Sequence, residues 1–358
     1  MNCQADSRTC ARCESLPDSP SENWTLYLWP PQGHSGGKVE AHLRQAGVPF
    51  GRAEADPAAL TIRIGDADMR AAVAGLADRL SVEELKDTRV LAVLGERAPE
   101  VADCPRVTSL ARTLSFLQAG PLLETLRDAA YEVTFAPIVY ADDHEDVLAH
   151  AALMRFPRLD MTSDAVFGLA QQADLLHQLD RAARVACIER APAQGIDGPI
   201  FVEFQPAAIY DPVYCLQTTV AAAKRVGVAP EHIVFTLSHP NRGYDIGHLQ
   251  SILSFYRQRG FRVALGQLGS GLGALELLQH LRPEFAWLSR ELVGGIDGDP
   301  YRGVIARKLL EMAHRLRIET IAEPGVSEAD RGWLYEHGVS YLALGDDAAA
   351  RPSRLAAQ

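Results

Sequence analysis

The sequence predicts an α/β fold: a TIM-like (β/α)8 barrel preceded by a small N-terminal α/β domain. Three observations carry this. From about residue 118 onward, short β-rich apolar runs alternate with stretches of helical periodicity. The starts of those runs recur at roughly the length of one βα unit, so seven or eight units fit in the remaining chain. The stretch Arg262–Gly273 (RVALGQLGSGLG) reads as a buried strand entering a glycine-rich turn. In a parallel α/β sheet or barrel, such junctions are where chemistry is placed.

Residues 1–22 are polar and rich in Ser, Asp and Pro, and are expected to form a flexible tail containing cysteines. Thr25–Trp29 then reads as a strand, Pro30 to Gly37 as a turn and Lys38–Gln45 as a helix. Ala59–Ile64 and Arg89–Leu94 read as two further strands, with Met69–Leu80 as a helix between them. This makes residues 23–115 a small α/β domain for regulation or assembly, with 118–354 as the barrel. The barrel strands expected are Val133–Tyr140, Pro199–Phe204, His232–Ser238, Phe261–Leu265, Phe285–Leu288, Thr320–Glu323 and Tyr341–Leu344. The intervening helices are Ser163–Arg190, Val213–Val226, His248–Arg259, Ala274–Leu281, Tyr301–Arg315 and Glu328–His337.

Composition excludes some function classes. A net charge of −11 argues against broad binding to nucleic acid or anionic membranes. The N-terminal MNCQADSRTC lacks the apolar centre of a secretory signal. No run approaches the roughly 20 apolar residues that cross a bilayer. The expectation is a cytoplasmic protein. Of six cysteines, Cys104, Cys187 and Cys215 are scattered and read as small buried hydrophobes. Cys10 and Cys13 form a C-x-x-C pair with Cys3 nearby, a weak metal or redox signal that lacks a fourth ligand unless His34 supplies one. The turn PPQGHSGGK lacks the spacing of a phosphate-binding loop, and Gly269-Ser-Gly271-Leu-Gly273 departs from a dinucleotide fingerprint. No cofactor is expected.

With the strands placed, seven segments in order resemble the EAL-domain family, bacterial phosphodiesterases of cyclic di-GMP. TFAPIVY (Thr134–Tyr140) is similar to YQPIVD, and HAALMRF (His150–Phe156) to EALLRW. IFVEFQPAAIYDP (Ile200–Pro212) resembles the strand carrying the family's Asn, and VALGQLGSG (Val263–Gly271) resembles ALDDFGTG. LRPEFAWLSRELV (Leu281–Val293), TIAEPGVSEAD (Thr320–Asp330) and VSYLALG (Val339–Gly345) resemble the family's last three strand ends. The resemblance covers about Leu122–Pro352. It implies a barrel whose active site lies at the C-terminal strand ends, and two-metal hydrolysis of a phosphodiester. Such a centre needs several, mostly anionic, oxygen ligands.

Position by position, the resemblance implies that those ligands are missing. Ala151 stands for the motif Glu, Thr236 for a ligand Glu, and Gly266-Gln267 for the adjacent Asp pair. Trp287 replaces the Lys beside the attacking water, Ser289 the next Asp, and Ala343 the final Gln. Glu203 stands at the Asn position and His239 at a second acidic one. Arg155, a phosphate contact in the family, and Glu323 persist, with Pro324 altering the loop that follows. Arg155, Glu203, Trp287 and Glu323 are thus the candidate ligand-binding set. Glu203, His239 and Glu323 could alternatively hold one transition metal, but are read as polar remnants of an old pocket. His150 is read as a packing or surface residue, and Asp142-Asp143 and Asp346-Asp347 as solvated loop pairs. The expected function is a catalytically inactive EAL-like protein in cyclic di-GMP signalling, acting on a regulatory protein partner, with a homodimer carried over from the family. The alternative is a non-catalytic cyclic di-GMP receptor, and the third reading a residual metal-dependent phosphodiesterase.

Overall fold

A computed structural model describes residues 14–18, 23–65, 67–238 and 244–345. Cys3, Cys10, Cys13, His239, Asp346 and Asp347 lie outside the described residues. Contacts divide the chain into two compact units. One contains Ser15–Tyr131 with Phe156–Leu179; the other contains Glu132–Arg155 and the chain from Asp180 onward. The first unit therefore reaches past the boundary expected near residue 115, since helices Leu110–Gln118 and Ser163–Gln172 pack on one another within it.

The first unit is built on an antiparallel sheet of five strands: β1 (Trp24–Trp29), β2 (Phe50–Arg52), β3 (Leu60–Ile64), β4 (Arg89–Leu94) and β5 (Thr108–Ser109), in the order β2-β3-β1-β4-β5. Alternation puts Leu26, Leu28, Ile62, Ile64 and Val90 into a core shared with Val39 and Leu43 of helix Gly33–Gln45. That helix corrects the expected turn at Gly33–Gly37. Ser35, fully buried, donates to Glu84 Oε1 at 2.9 Å, and Lys38 Nζ bonds Glu84 Oε2 at 2.8 Å. Glu84 also closes a capping box with Ser81. These three donors, led by Lys38, hold the Glu84 carboxyl down at about 2. Tertiary contacts at one carboxylate thus outweigh the poor helix propensity of three glycines.

The second unit is a closed barrel of β6 (Glu132–Tyr140), β7 (Val147–Arg155), β8 (Ile200–Phe204), β9 (Ile233–Leu237), β10 (Arg262–Leu268), β11 (Phe285–Leu288), β12 (Glu319–Ala322) and β13 (Tyr341–Ala343). The expected strands all form. The eighth, β7, is additional, and pairs antiparallel with β6. β13 also meets β6 antiparallel, while every other neighbouring pair is parallel. The stretch expected as one helix over Ser163–Arg190 breaks into Ser163–Gln172 and Leu176–Ala193, with Asp174 at φ 62 between them. Among the described residues no helix is long and apolar enough to cross a membrane.

Inward positions of alternate residues, among them Ile138, Ala149, Phe201, Val234, Ala264, Phe285, Trp287 and Ile321, fill the barrel. Outside it, Phe235 stacks on Tyr256 of helix Ile246–Gln258 at 4.0 Å between centroids. A buried ion pair ties the wall together. Asp180 accepts from Arg184 Nε at 2.7 Å and from the backbone N–H of Gln205, just past β8, at 2.8 Å. The Arg184 guanidinium also donates to Thr219. Both charged side chains are about 1% exposed. Removing one partner of a buried pair costs far more than the pair itself contributes, because the other charge is stranded. Asp180→Ala is expected to destabilise the protein by about 3–5 kcal/mol, read as a lower urea midpoint by circular dichroism.

Candidate functional site

Seven of the eight barrel strands run parallel, so their C-terminal ends meet at one mouth. A cavity of about 200 Å³ opens there. β7 contributes Ala151, Ala152 and Leu153, β8 contributes Phe201 and Glu203, and β9 ends in Thr236 and Ser238. β10 supplies Gly266 and Gln267, and β11 supplies Trp287; Glu323 and Pro324 follow directly on β12, and β13 ends in Ala343 with Leu344 next to it. Six of the seven positions read as substituted therefore line one cavity, together with Glu203 and Glu323; the seventh, Ser289, does not line it. Arg155 does not line it. It stands at the end of β7, opposite Glu132, four positions beyond Ala151 on the same strand face. β6 runs the other way, so Asp142 and Asp143, in the turn to β7, emerge at the opposite end of the barrel. His150 is fully buried within β7, in keeping with a packing role.

The mouth is walled by aromatic rings. Phe201 meets Phe285 at 5.1 Å and Trp287 at 5.5 Å, both edge to face, so Trp287 caps the stack of rings that fills the barrel. Glu203 pairs in register with Thr236. Glu323 Oε2 accepts from the Arg290 backbone N–H at 2.8 Å. Burial pushes the Glu323 carboxyl above the usual range, against that hydrogen bond, and the charges of Glu203 and Glu291 push it further. Burial likewise drives the Cys187 thiol up to about 12, so Cys187 is a packing residue, as expected, and Cys215 is buried too. Cys104, expected buried, is exposed, because it lies in the short turn Val101–Arg106 at the surface of the first unit.

β10 carries the most unusual backbone of the mouth. Its register with β11 slips between Leu265 and Leu268, which places a bulge at Gly266-Gln267. Gln267 takes φ 54, a left-handed conformation that side-chain-bearing residues rarely adopt. Its carbonyl accepts from the Ser270 N–H at 3.2 Å and the Ser270 hydroxyl at 2.8 Å. Gly269 follows at φ 99, where a Cβ would stand 2.5 Å from Leu292 Cδ2, so this turn requires glycine, as the sequence pattern implies.

The donors present do not fit a pair of divalent cations. Among the described lining residues only Glu203 and Glu323 offer carboxylates. Ala151, Gly266 and Ala343 bring no donor, Gln267 is neutral, and Trp287 has only an N–H. Among the described residues no group of three or more His, Cys, Asp or Glu side chains stands together as a metal site. Sequence reasoning missed Ala136, Ala152, Leu153, Phe201, Ser238 and Leu344 as lining residues.

A family model for the EAL domain matches residues 120–343, well over half of the chain. The chain is an EAL-domain protein. Its family operates in cyclic di-GMP signalling. This EAL-domain protein is 30% identical over 90 residues to a probable cyclic di-GMP phosphodiesterase, PdeB, of Escherichia coli K12. The match covers 25% of this chain and 17% of that relative, and a 25% identical match to the HTH-type regulator YuaB covers 34% of that protein. A standalone versatile EAL protein from Vibrio cholerae O395, solved in a cyclic di-GMP bound form, is 29% identical, with a TM-score of 0.54. That likeness covers 60% of this chain and 89% of the solved one. The FimX EAL domain of Xanthomonas citri, 22% identical with a TM-score of 0.56, covers 64% of this chain and 91% of its own and supports the fold.

Two outcomes follow from the mouth. Gln267→Gly removes the left-handed penalty and is expected to raise stability by about 1 kcal/mol, checked by urea unfolding. Because folding raises the pKa of Glu323, its neutral form is favoured in the native state. Its contribution is therefore present at low pH and is lost as pH rises through the raised value. Glu323→Gln is expected to melt higher than the native protein at pH 7.5, with the gap closing towards pH 4, in thermal scans across that range.

Proposed function

We propose that this EAL-domain protein does not hydrolyse cyclic di-GMP and acts in that signalling system through protein contacts. The observation that supports this most is the cavity itself. Seven parallel strand ends converge as the fold demands, yet most deliver Ala, Gly, Thr or Trp where hydrolysis needs anionic oxygen. Two cations facing two carboxylates would be poorly compensated in a half-buried site. The surface offers apolar alternatives. On helix Pro300–Leu316, Tyr301, Val304 and Ile305 share one face and are 85%, 55% and 54% exposed. Tyr210, Val213 and Tyr214 are exposed beyond β8. Such patches suit a regulatory protein partner or a second copy of the chain. In this reading residues 23–115 serve sensing or assembly, the protein is cytoplasmic, and no cofactor is needed.

A second reading, a receptor that binds cyclic di-GMP without cleaving it, draws on the cyclic di-GMP bound form of the Vibrio cholerae relative. Arg155, Glu203, Trp287 and Glu323 would then form the ligand-binding set, with the Trp287 ring available to stack on a base. Calorimetric titration with cyclic di-GMP, with and without Mg²⁺, followed by assay for the linear dinucleotide, separates these readings. The expected result is no heat and no product. Heat without product favours the receptor, for which Arg155→Ala should abolish binding. Product formation would overturn the proposal.

A further inference from the structure

At position 266 the barrel lacks a carboxylate, and a side chain there would press on backbone. A Cβ built on Gly266 would lie 3.0 Å from the Leu237 carbonyl oxygen and 3.3 Å from Ser238 Cα. Both are backbone atoms of β9 and its continuation, and neither can rotate away as the tip of a side chain would. Leu237 is moreover held on both sides, in register with Phe204 of β8 and with Leu265 of β10. Moving it means moving three paired strands. On its other side Gly266 is followed by Gln267 in the left-handed region, and then by Gly269 against Leu292, so β10 cannot withdraw without rebuilding the bulge and turn.

Neighbouring polar atoms support the same picture. Thr236 Oγ1, Trp287 Nε1 and Ser289 Oγ are sealed from solvent and have no hydrogen-bond partner among the described residues. Their side chains are 5%, 9% and 2% exposed. Here β9 to β11 pack closely over these three atoms, beside a cavity that Thr236 and Trp287 also line.

We infer that the mouth has been narrowed between β9 and β10 as well as stripped. The approach of β9 to β10 occupies the volume a side chain at 266 would need, so acidic residues restored at 266 and 267 cannot rebuild a cation centre on this barrel. This rests on the non-hydrolytic reading above and extends it from missing donors to missing room.

The test uses the full chain and Mn²⁺ alone, with binding read by calorimetry and by loss of the free-ion electron paramagnetic resonance signal. The variants are Gly266→Ala, Gln267→Asp and the double variant Gly266→Asp/Gln267→Asp. Gly266→Ala is expected to fold but to melt about 3–10 °C lower, the mark of overpacking against backbone. Neither Gln267→Asp nor the double variant should take up stoichiometric Mn²⁺. An unchanged melting temperature for Gly266→Ala would overturn the inference. So would stoichiometric uptake by a folded double variant only, although the non-hydrolytic reading would survive that result. Uptake by the unsubstituted protein would sink both.

Discussion

An eight-strand sheet can close on itself only if side chains fill the space it encloses, and every feature of this mouth depends on how that filling was done. Phe201, Phe285 and Trp287 stack edge to face up the barrel axis, with Ala149, Ala264 and Ala343 as the small partners that make room for them. Trp287 is the uppermost of the three rings and also lines the cavity. Packing and site are thus one problem here. A bulky apolar group that completes the core removes, by the same placement, a polar group from the mouth.

The same coupling operates at β10. A parallel strand delivers alternate residues to the interior, and a bulge shifts that delivery by one position. With the register slipping between Leu265 and Leu268, Gln267 is turned into the left-handed region and Gly266 meets the β9 backbone. The Ser270 hydrogen bonds to the Gln267 carbonyl and the Gly269 contact with Leu292 hold that arrangement. The loop keeps the glycine-rich outline of its family, while what it presents to the cavity is an amide and a hydrogen.

Electrostatics reinforce the separation between fold and chemistry. Carboxylates with several hydrogen-bond donors serve the scaffold. Glu84 gathers three donors and joins two helices, Asp330 accepts from the backbone of Gly295, Asp297 and Ser327, and Asp180 anchors the end of β8. Glu323, by contrast, lines a half-buried cavity with Glu203, and burial raises its pKa. Acidic groups with abundant donors sit in the scaffold, and Glu323 at the mouth is held in an environment poorly suited to its charge.

The sequence by itself determined the barrel, because apolar runs at the βα interval leave few other closed arrangements, and seven strand motifs in order identified the family. It also determined the identity of the side chains at the mouth, since strand ends are legible once strands are placed. It did not reveal β7, because Val147–Arg155 carries apolar residues on both faces and so lacks a clean alternation. It misread Gly33–Gly37, because a distant glutamate, not local propensity, makes that segment helical. Only the tertiary structure decided that Arg155 does not line the cavity and that a side chain at 266 would press on the β9 backbone. Both depend on how strands far apart in the chain approach one another, and no local pattern of residues encodes a gap between two backbones.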